Sequence, residues 1–186
     1  MSSTPLNPAR LAVESAAIFL SVFLAFAADQ WRDDANDRER AQDALNLVRV
    51  ELEQNLVELQ SAIGTRQEMF EQYNDGLRQL IDDNEYPYDL PSVIMPEITT
   101  IAYELATDSS AVAKVDPDQL VIIARAYEAL EGVRRNEVFL SNRNAQIRYR
   151  DGEQYLSGHV FYLSSAIRLE PLAVRHIEAA LTALDA

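Results

Sequence analysis

The run Leu11–Ala28 constrains this chain more than any other stretch: its eighteen residues carry one charged side chain, Glu14, in a polypeptide whose net charge is −14. As a helix rising about 1.5 Å per residue it would be roughly 27 Å long, close to the ~30 Å hydrocarbon thickness of a bilayer. Three fates suit such a run: a transmembrane helix, a secretory signal peptide cut after Ala25-Phe26-Ala27, or a core helix of a globular protein. The early carboxylate, and a start whose only basic groups are Arg10 and the amino terminus, argue against a signal peptide. The sequence therefore predicts a transmembrane helix over 11–28. Asp29, Trp31 and Arg32 mark its boundary, with Trp31 placed where an amphipathic aromatic lies between lipid and water. Arg10 on one side and Arg32, Arg38 and Arg40 on the other are too evenly split to set an orientation.

At 100° per residue, Glu14, Ala17, Ser21 and Ala25 share one stripe, a small-residue ladder of the kind that lets helix backbones approach closely in lipid. Phe19, Leu20, Phe23 and Phe26 fall on other sides and suit lipid contact. A partner helix or the nearby interface relieves the cost of Glu14; an oligomeric channel using that carboxylate is a further reading.

The remainder reads as helix. Glycine is scarce, and Ala, Leu, Glu, Gln and Arg, all good helix formers, are abundant. Residues 29–63 begin as a charged juxtamembrane stretch and continue as a long amphipathic helix, in which Leu45, Val48, Leu52, Asn55, Leu59 and Ala62 also fit a coiled-coil seam with Asn55 as its polar member. Gly64-Thr65 predicts a stop and a new N-cap, followed by a helix carrying Met69, Phe70, Tyr73, Leu77 and Leu80 up to Asp82-Asp83-Asn84. The stretch from Tyr86 to Pro91 is too rich in proline to be helical; it is the best candidate for docking something else, or packs on its own bundle. Pro96 is expected to open a short helix with Ile98, Ile101 and Leu105. Asp116 caps a helix begun by Pro117, Asp151-Gly152 separates it from the last, and Pro171 kinks or divides that last one. The expected fold is all-α: a tail over 1–10, a transmembrane helix over 11–28 continuing into the helix of 29–63, and an antiparallel helical bundle over 64–186.

Charge is divided unevenly: residues 1–118 hold 22 acidic and 8 basic side chains, residues 119–186 eight of each. Arg125, Arg134, Arg135, Arg143, Arg148 and Arg150 crowd one segment and read as an interhelix basic patch. It would pack beside the acidic helices of the same or a neighbouring chain, or failing that against anionic headgroups. The overall acidity repels phosphate backbones, so nucleic acid is not an expected partner. The absence of cysteine removes thiolate metal sites and thiol nucleophiles together. His159 and His176 lack the Glu-x-x-His spacing of a bundle metal site, no serine lies in Gly-x-Ser-x-Gly, and adjacent carboxylates such as Asp33-Asp34 point apart on a helix. No catalytic residue, metal ligand or cofactor site is identified, and the chain is not expected to be an enzyme.

The run from Glu14 to Asp29-Gln-Trp31, followed by Arg38-Glu-Arg and Leu47-Val-Arg-Val-Glu51, resembles an uncharacterised family of bacterial membrane-anchored helical proteins. Thr100-Ile-Ala-Tyr103 and Leu120-Val-Ile-Ile-Ala-Arg-Ala-Tyr127 are similar to that family's middle region. The resemblance implies a single-pass protein of the bacterial inner membrane and carries no activity or catalytic residues. The expected role is a membrane-anchored scaffold, accessory or assembly protein partnered by the bilayer and by itself or another membrane protein. A membrane-tethered sensor or small-ligand-binding bundle is the alternative.

Overall fold

One helix carries the chain from Pro8 to Asp83 without interruption. In the computed structural model this α1 (Pro8–Asp83) is followed by α2 (Ile101–Thr107), a 3-10 turn at Ser110–Lys114, α3 (Pro117–Gln146) and α4 (Gly152–Leu184), and there is no strand among the described residues. The structure describes residues 8–87, 89–108, 110–146 and 151–185, without the side chains of residues 8–19, 22, 110 and 111. Most of the expected transmembrane run therefore lies outside the described side chains. Among the described residues no helix is long and apolar enough to cross a membrane.

The break expected at Gly64-Thr65 does not occur. A glycine inside a helix costs about 1 kcal/mol relative to alanine. Leu52, Leu59, Arg66 and Tyr73, one every seven residues, are all buried on a single row that crosses it, and each buried leucine alone contributes about 1.5–3 kcal/mol. Thr65 does not cap a new helix; its hydroxyl donates to the Ala62 carbonyl at 3.2 Å, inside the same helix. α1 does end at Asp83, where Asn84 takes φ 55°, a left-handed conformation that asparagine tolerates better than most residues.

From residue 29 to 40 α1 is exposed apart from half-buried Asp34 and Asp37, and Ala41 is its first buried residue. Beyond that point the coiled-coil row turns inward on its own chain: Val48, Leu52 and Leu59 pack with Ile123, Ala126, Tyr127, Leu130 and Val133 of α3 and with Ala173, Ile177 and Ala180 of α4. A second apolar cluster follows higher up, built from Tyr73, Leu140, Leu156, Tyr162, Leu163 and Ala166. These pairings make α1 and α3 parallel and α4 antiparallel to both, with α4 packed along each of them. α4 passes through Pro171 as one helix because its buried face, Leu163, Ala166, Glu170, Ala173 and Ile177, is continuous on both sides.

The second downward element of this up-down-up-down arrangement is a strap over residues 84–100 ending in α2. The short helix starts at Ile101, five residues later than expected from Pro96, because the strap must span a distance that a helix could not. Tyr73 Oη donates to the Pro91 carbonyl at 2.8 Å, and Asn55 clamps Thr99 through Nδ2 to its carbonyl at 2.8 Å and Oδ1 from its amide at 3.0 Å. Between Asn55 and Tyr73 α1 rises about 27 Å, and the eight residues from Pro91 to Thr99 cover about 26 Å only when extended at ~3.3 Å each. Close approach at the top needs glycine: a Cβ on Gly76 would lie 2.9 Å from Pro87 Cγ, and one on Gly152 2.7 Å from the Tyr86 ring. At the bottom, Thr100 makes no side-chain capping bond, and Glu51 of α1 replaces it by accepting from the amides of Ala102 (2.9 Å) and Tyr103 (3.4 Å).

Asn55→Ala removes both bonds to the strap and leaves the half-buried Thr99 amide and carbonyl without them, so we expect a loss of about 1–3 kcal/mol in urea unfolding. A change within error would mean that the strap is held by its side chains and not by this clamp.

Candidate functional site

Between the two apolar clusters lies one polar layer to which α1, the strap, α3 and α4 contribute. Arg66 sits on the buried row of α1 and is 2% exposed; Glu170, facing it from α4, is fully buried. Arg66 Nε lies 2.9 and 3.0 Å from the two oxygens of Glu170, and Nη2 lies 2.9 Å from Oε1. Nη1 donates to the Ile94 carbonyl of the strap at 2.8 Å, and Nη2 also reaches the Tyr162 hydroxyl at 3.4 Å. The guanidinium carbon stands 5.6 Å from the centre of the Tyr162 ring. From α3, Asn136 Nδ2 donates to the Tyr162 carbonyl at 3.1 Å. Only an arginine offers five donors in a fixed fork able to meet a carboxylate, a carbonyl and a phenol together.

Glu137, next to Asn136 on α3, completes the layer. Its Oε1 is buried and has no hydrogen-bond donor among the described residues. Burial, reinforced by the negative charge of Glu170 and opposed by Arg66, pushes this carboxyl up to about 7. One cation thus faces two carboxylates, and the second of them holds a proton near neutrality. Burial likewise raises the Tyr162 hydroxyl.

Two further polar contacts brace the layer from either side. Below it, Tyr127 Oη donates to Glu51 at 2.7 Å and its ring stacks on Tyr103 at 4.1 Å; burial is the main cause that raises the Tyr127 hydroxyl. Above it, His159 stacks against Tyr73 at 4.8 Å and lies 4.2 Å from the Tyr155 ring, with Nδ1 2.9 Å from the Tyr155 carbonyl. Burial holds His159 below its usual range and so favours a neutral ring inside the core. Among the described residues no group of three or more histidines and carboxylates is placed to hold a metal. The enclosed apolar space between Ala41, Val48, Tyr103 and Ile123 measures about 20 Å³, the size of a single water.

The residues singled out by sequence lie elsewhere. The side chains of Glu14 and Ala17 are outside the described residues, while Ser21 and Ala25 are on the exposed surface of α1. Asp29 and Arg32 form an exposed pair at 3.8 Å, and Trp31 stands out into solvent one residue before Arg32. In the basic segment Arg125 and Arg135 are exposed, Arg134 is paired with Glu131 of its own helix at 2.7 Å, and Arg148 and Arg150 lie outside the described residues. Arg143 is turned onto α4, where Nη2 donates to Ser157 Oγ at 3.1 Å over the bare face of Gly158. The polar layer itself went unrecognised, although its signal is present: an arginine on the heptad row of Leu52 and Leu59, and a glutamate on the row of Leu163 and Ile177. No protein-family model, no curated protein and no solved structure matches this chain.

Arg66→Met leaves Glu170 buried without its cation, and we expect a loss of about 3–5 kcal/mol, most of it recovered when Glu170→Leu is added. Additive losses in that double-mutant cycle would deny the coupling. Glu137 gives a separate signature. Its folded-state value lies above the ordinary 4.5, so the stability contributed by the neutral carboxyl is complete below that pH and is lost as pH rises toward about 7. The stability of Glu137→Gln relative to the parent should therefore climb from pH 5 to pH 8, as read by thermal unfolding. Parallel profiles would mean that Glu137 is ionised throughout.

Proposed function

We propose that this protein is a single-pass, membrane-anchored helical scaffold or accessory protein that assembles with further copies of itself and performs no catalysis of its own. What carries the reading is the division of labour along α1. At one end Leu20, Phe23, Leu24, Phe26 and Trp31 are between 58% and 75% exposed; at the other the same helix is packed into a closed bundle. In water such a row is an aggregation liability, whereas in a bilayer it is ordinary lipid-facing surface. Residues 29–40 then form a solvated rod that stands the bundle about 18 Å from the apolar segment. The family resemblance of residues 14–51 agrees with a bacterial inner-membrane setting. The apolar cavity between Ala41, Val48, Tyr103 and Ile123, about 20 Å³, is too small for a metabolite, which favours a scaffold over a small-molecule sensor.

Two arginines at the middle of the run should each raise the cost of insertion by about 2.5–3.5 kcal/mol. We therefore expect the unmodified chain to stay with the membrane pellet through an alkaline carbonate wash and Leu20→Arg/Phe23→Arg to appear in the supernatant with unchanged helicity. An unmodified chain that washes off would defeat the anchor.

A further inference from the structure

We infer that neighbouring copies of this chain dock side by side, the groove between α1 and the strap of one copy receiving the outer face of α3 of the next. The inference rests on the membrane-anchored reading, which stands the copies upright at a common height.

The groove has a volume of about 520 Å³ and runs past Val50, Val57, Glu53, Glu58 and Glu97. On its α1 wall Leu47, Val50, Gln54 and Val57 follow one another at steps of three, four and three, and the three apolar members of this row are exposed. At 100° per residue it is rotated roughly 150° from the buried row of Val48, Leu52 and Leu59, so α1 carries a second seam that its own bundle leaves uncovered. The carboxylates of Glu53, Glu58 and Glu97 have no hydrogen bond or ion pair among the described residues. Two such grooves set face to face would bring like charges together, which disfavours a symmetric self-contact.

The outer face of α3 has the matching character. Val121, Arg125, Glu128, Gly132, Arg135 and Phe139 recur at alternating steps of four and three. Val121 and Phe139 are exposed. Arg125 and Arg135 are without an ion-pair partner among the described residues, as is Glu128, the carboxylate that shares their face; Glu131 is turned to Arg134. A Cβ on Gly132 would meet nothing within 4 Å, so another helix can approach closely there.

The two faces are also level. Val48 of α1 and Ile123 of α3 share one core cluster, and Glu51 accepts from Tyr127, so residues 47–58 and 121–135 stand at the same height above the apolar end of α1. The uncovered seam continues toward the membrane on the same side of the rod: at 100° per residue Ser21 and Ala25 lie within roughly 40° of Val50 and Val57. Because groove and α3 face are different surfaces, the contact is heterologous, and its repetition gives a ring where the rotation per copy closes and an open row where it does not.

The test is a charge exchange in the full-length chain in mild detergent, with mass read by light scattering. The parent should be oligomeric and lose mass as salt rises from about 50 to about 500 mM. Glu53→Arg/Glu58→Arg and Arg125→Glu/Arg135→Glu, all surface positions, should each lower the mass while keeping the thermal unfolding curve, and combining the four in one chain should restore it. An oligomer indifferent to either pair, or a four-fold variant that stays dissociated, would overturn the contact while leaving the anchor intact. A parent that pellets with membranes yet is monomeric also overturns it, and the groove would pass to another protein if that monomer bound a lysine-flanked amphipathic peptide. A parent absent from the membrane pellet would instead count against the anchor.

Discussion

The buried guanidinium of Arg66 is the constraint on which the rest of the architecture depends. Apolar clusters above and below it tolerate a helix sliding by a turn, since one leucine replaces another at modest cost. A charged fork cannot slide. Moved by one turn, Arg66 would lose Glu170, and both ions would be left in an apolar interior at a cost of several kcal/mol. Through Glu170 it fixes the register of α4, and through the Ile94 carbonyl that of the strap. Asn136, bonded to the Tyr162 carbonyl, holds α3 in the same layer. Desolvation offsets much of the attraction within a buried ion pair, whereas removal of one partner leaves an uncompensated charge, so the layer penalises misalignment more than it adds net stability.

That alignment explains the strap. A four-helix bundle needs a second descending element, and here prolines at 87, 91 and 96 forbid a helix over most of its length. An extended segment has no ladder of internal hydrogen bonds, so its backbone must be satisfied by its neighbours. The buried face of α1 supplies them in order, with Tyr73, Arg66, Asn55 and Glu51 each taking one station down the strap. Polar residues on that row therefore belong to the fold. Asn55, which by spacing alone reads as the polar member of an intermolecular seam, is one of these stations.

Local signals were legible and long-range ones were not. Asp116 caps α3 as its position before Pro117 implies, accepting from the amides of Asp118 at 2.8 Å and Gln119 at 3.3 Å. Asn84 ends α1 through its own left-handed backbone. Gly64-Thr65 misled because helix-stop chemistry is worth about 1 kcal/mol, less than the buried row that crosses it. Pro96 misled because the start of α2 is set by the distance the strap must span and by Glu51, fifty positions before Ile101. The partner of Arg66 is 104 residues away; periodicity marks a charge on a buried row, but only the packing of α1 against α4 brings the pair together.

An unbroken α1 has one more consequence. In a helix of fixed pitch the direction of a side chain at one point sets its direction everywhere, so the rotational setting of the apolar segment and that of the bundle are a single variable. Across the solvated stretch of residues 29–40 the phase is preserved because no glycine or proline interrupts it. The aromatic side chains near the apolar end lie on the side of the rod that faces the core higher up, and Ser21 and Ala25 on the side of Leu47, Val50 and Val57. A rod built in this way offers one continuous flank to its surroundings: the side that carries Ser21 and Ala25 near the apolar end is apolar and acidic beside the bundle. What the linker must preserve is therefore phase before length, since each added residue turns the flanks about 100° apart while seven bring them back to within roughly 20°.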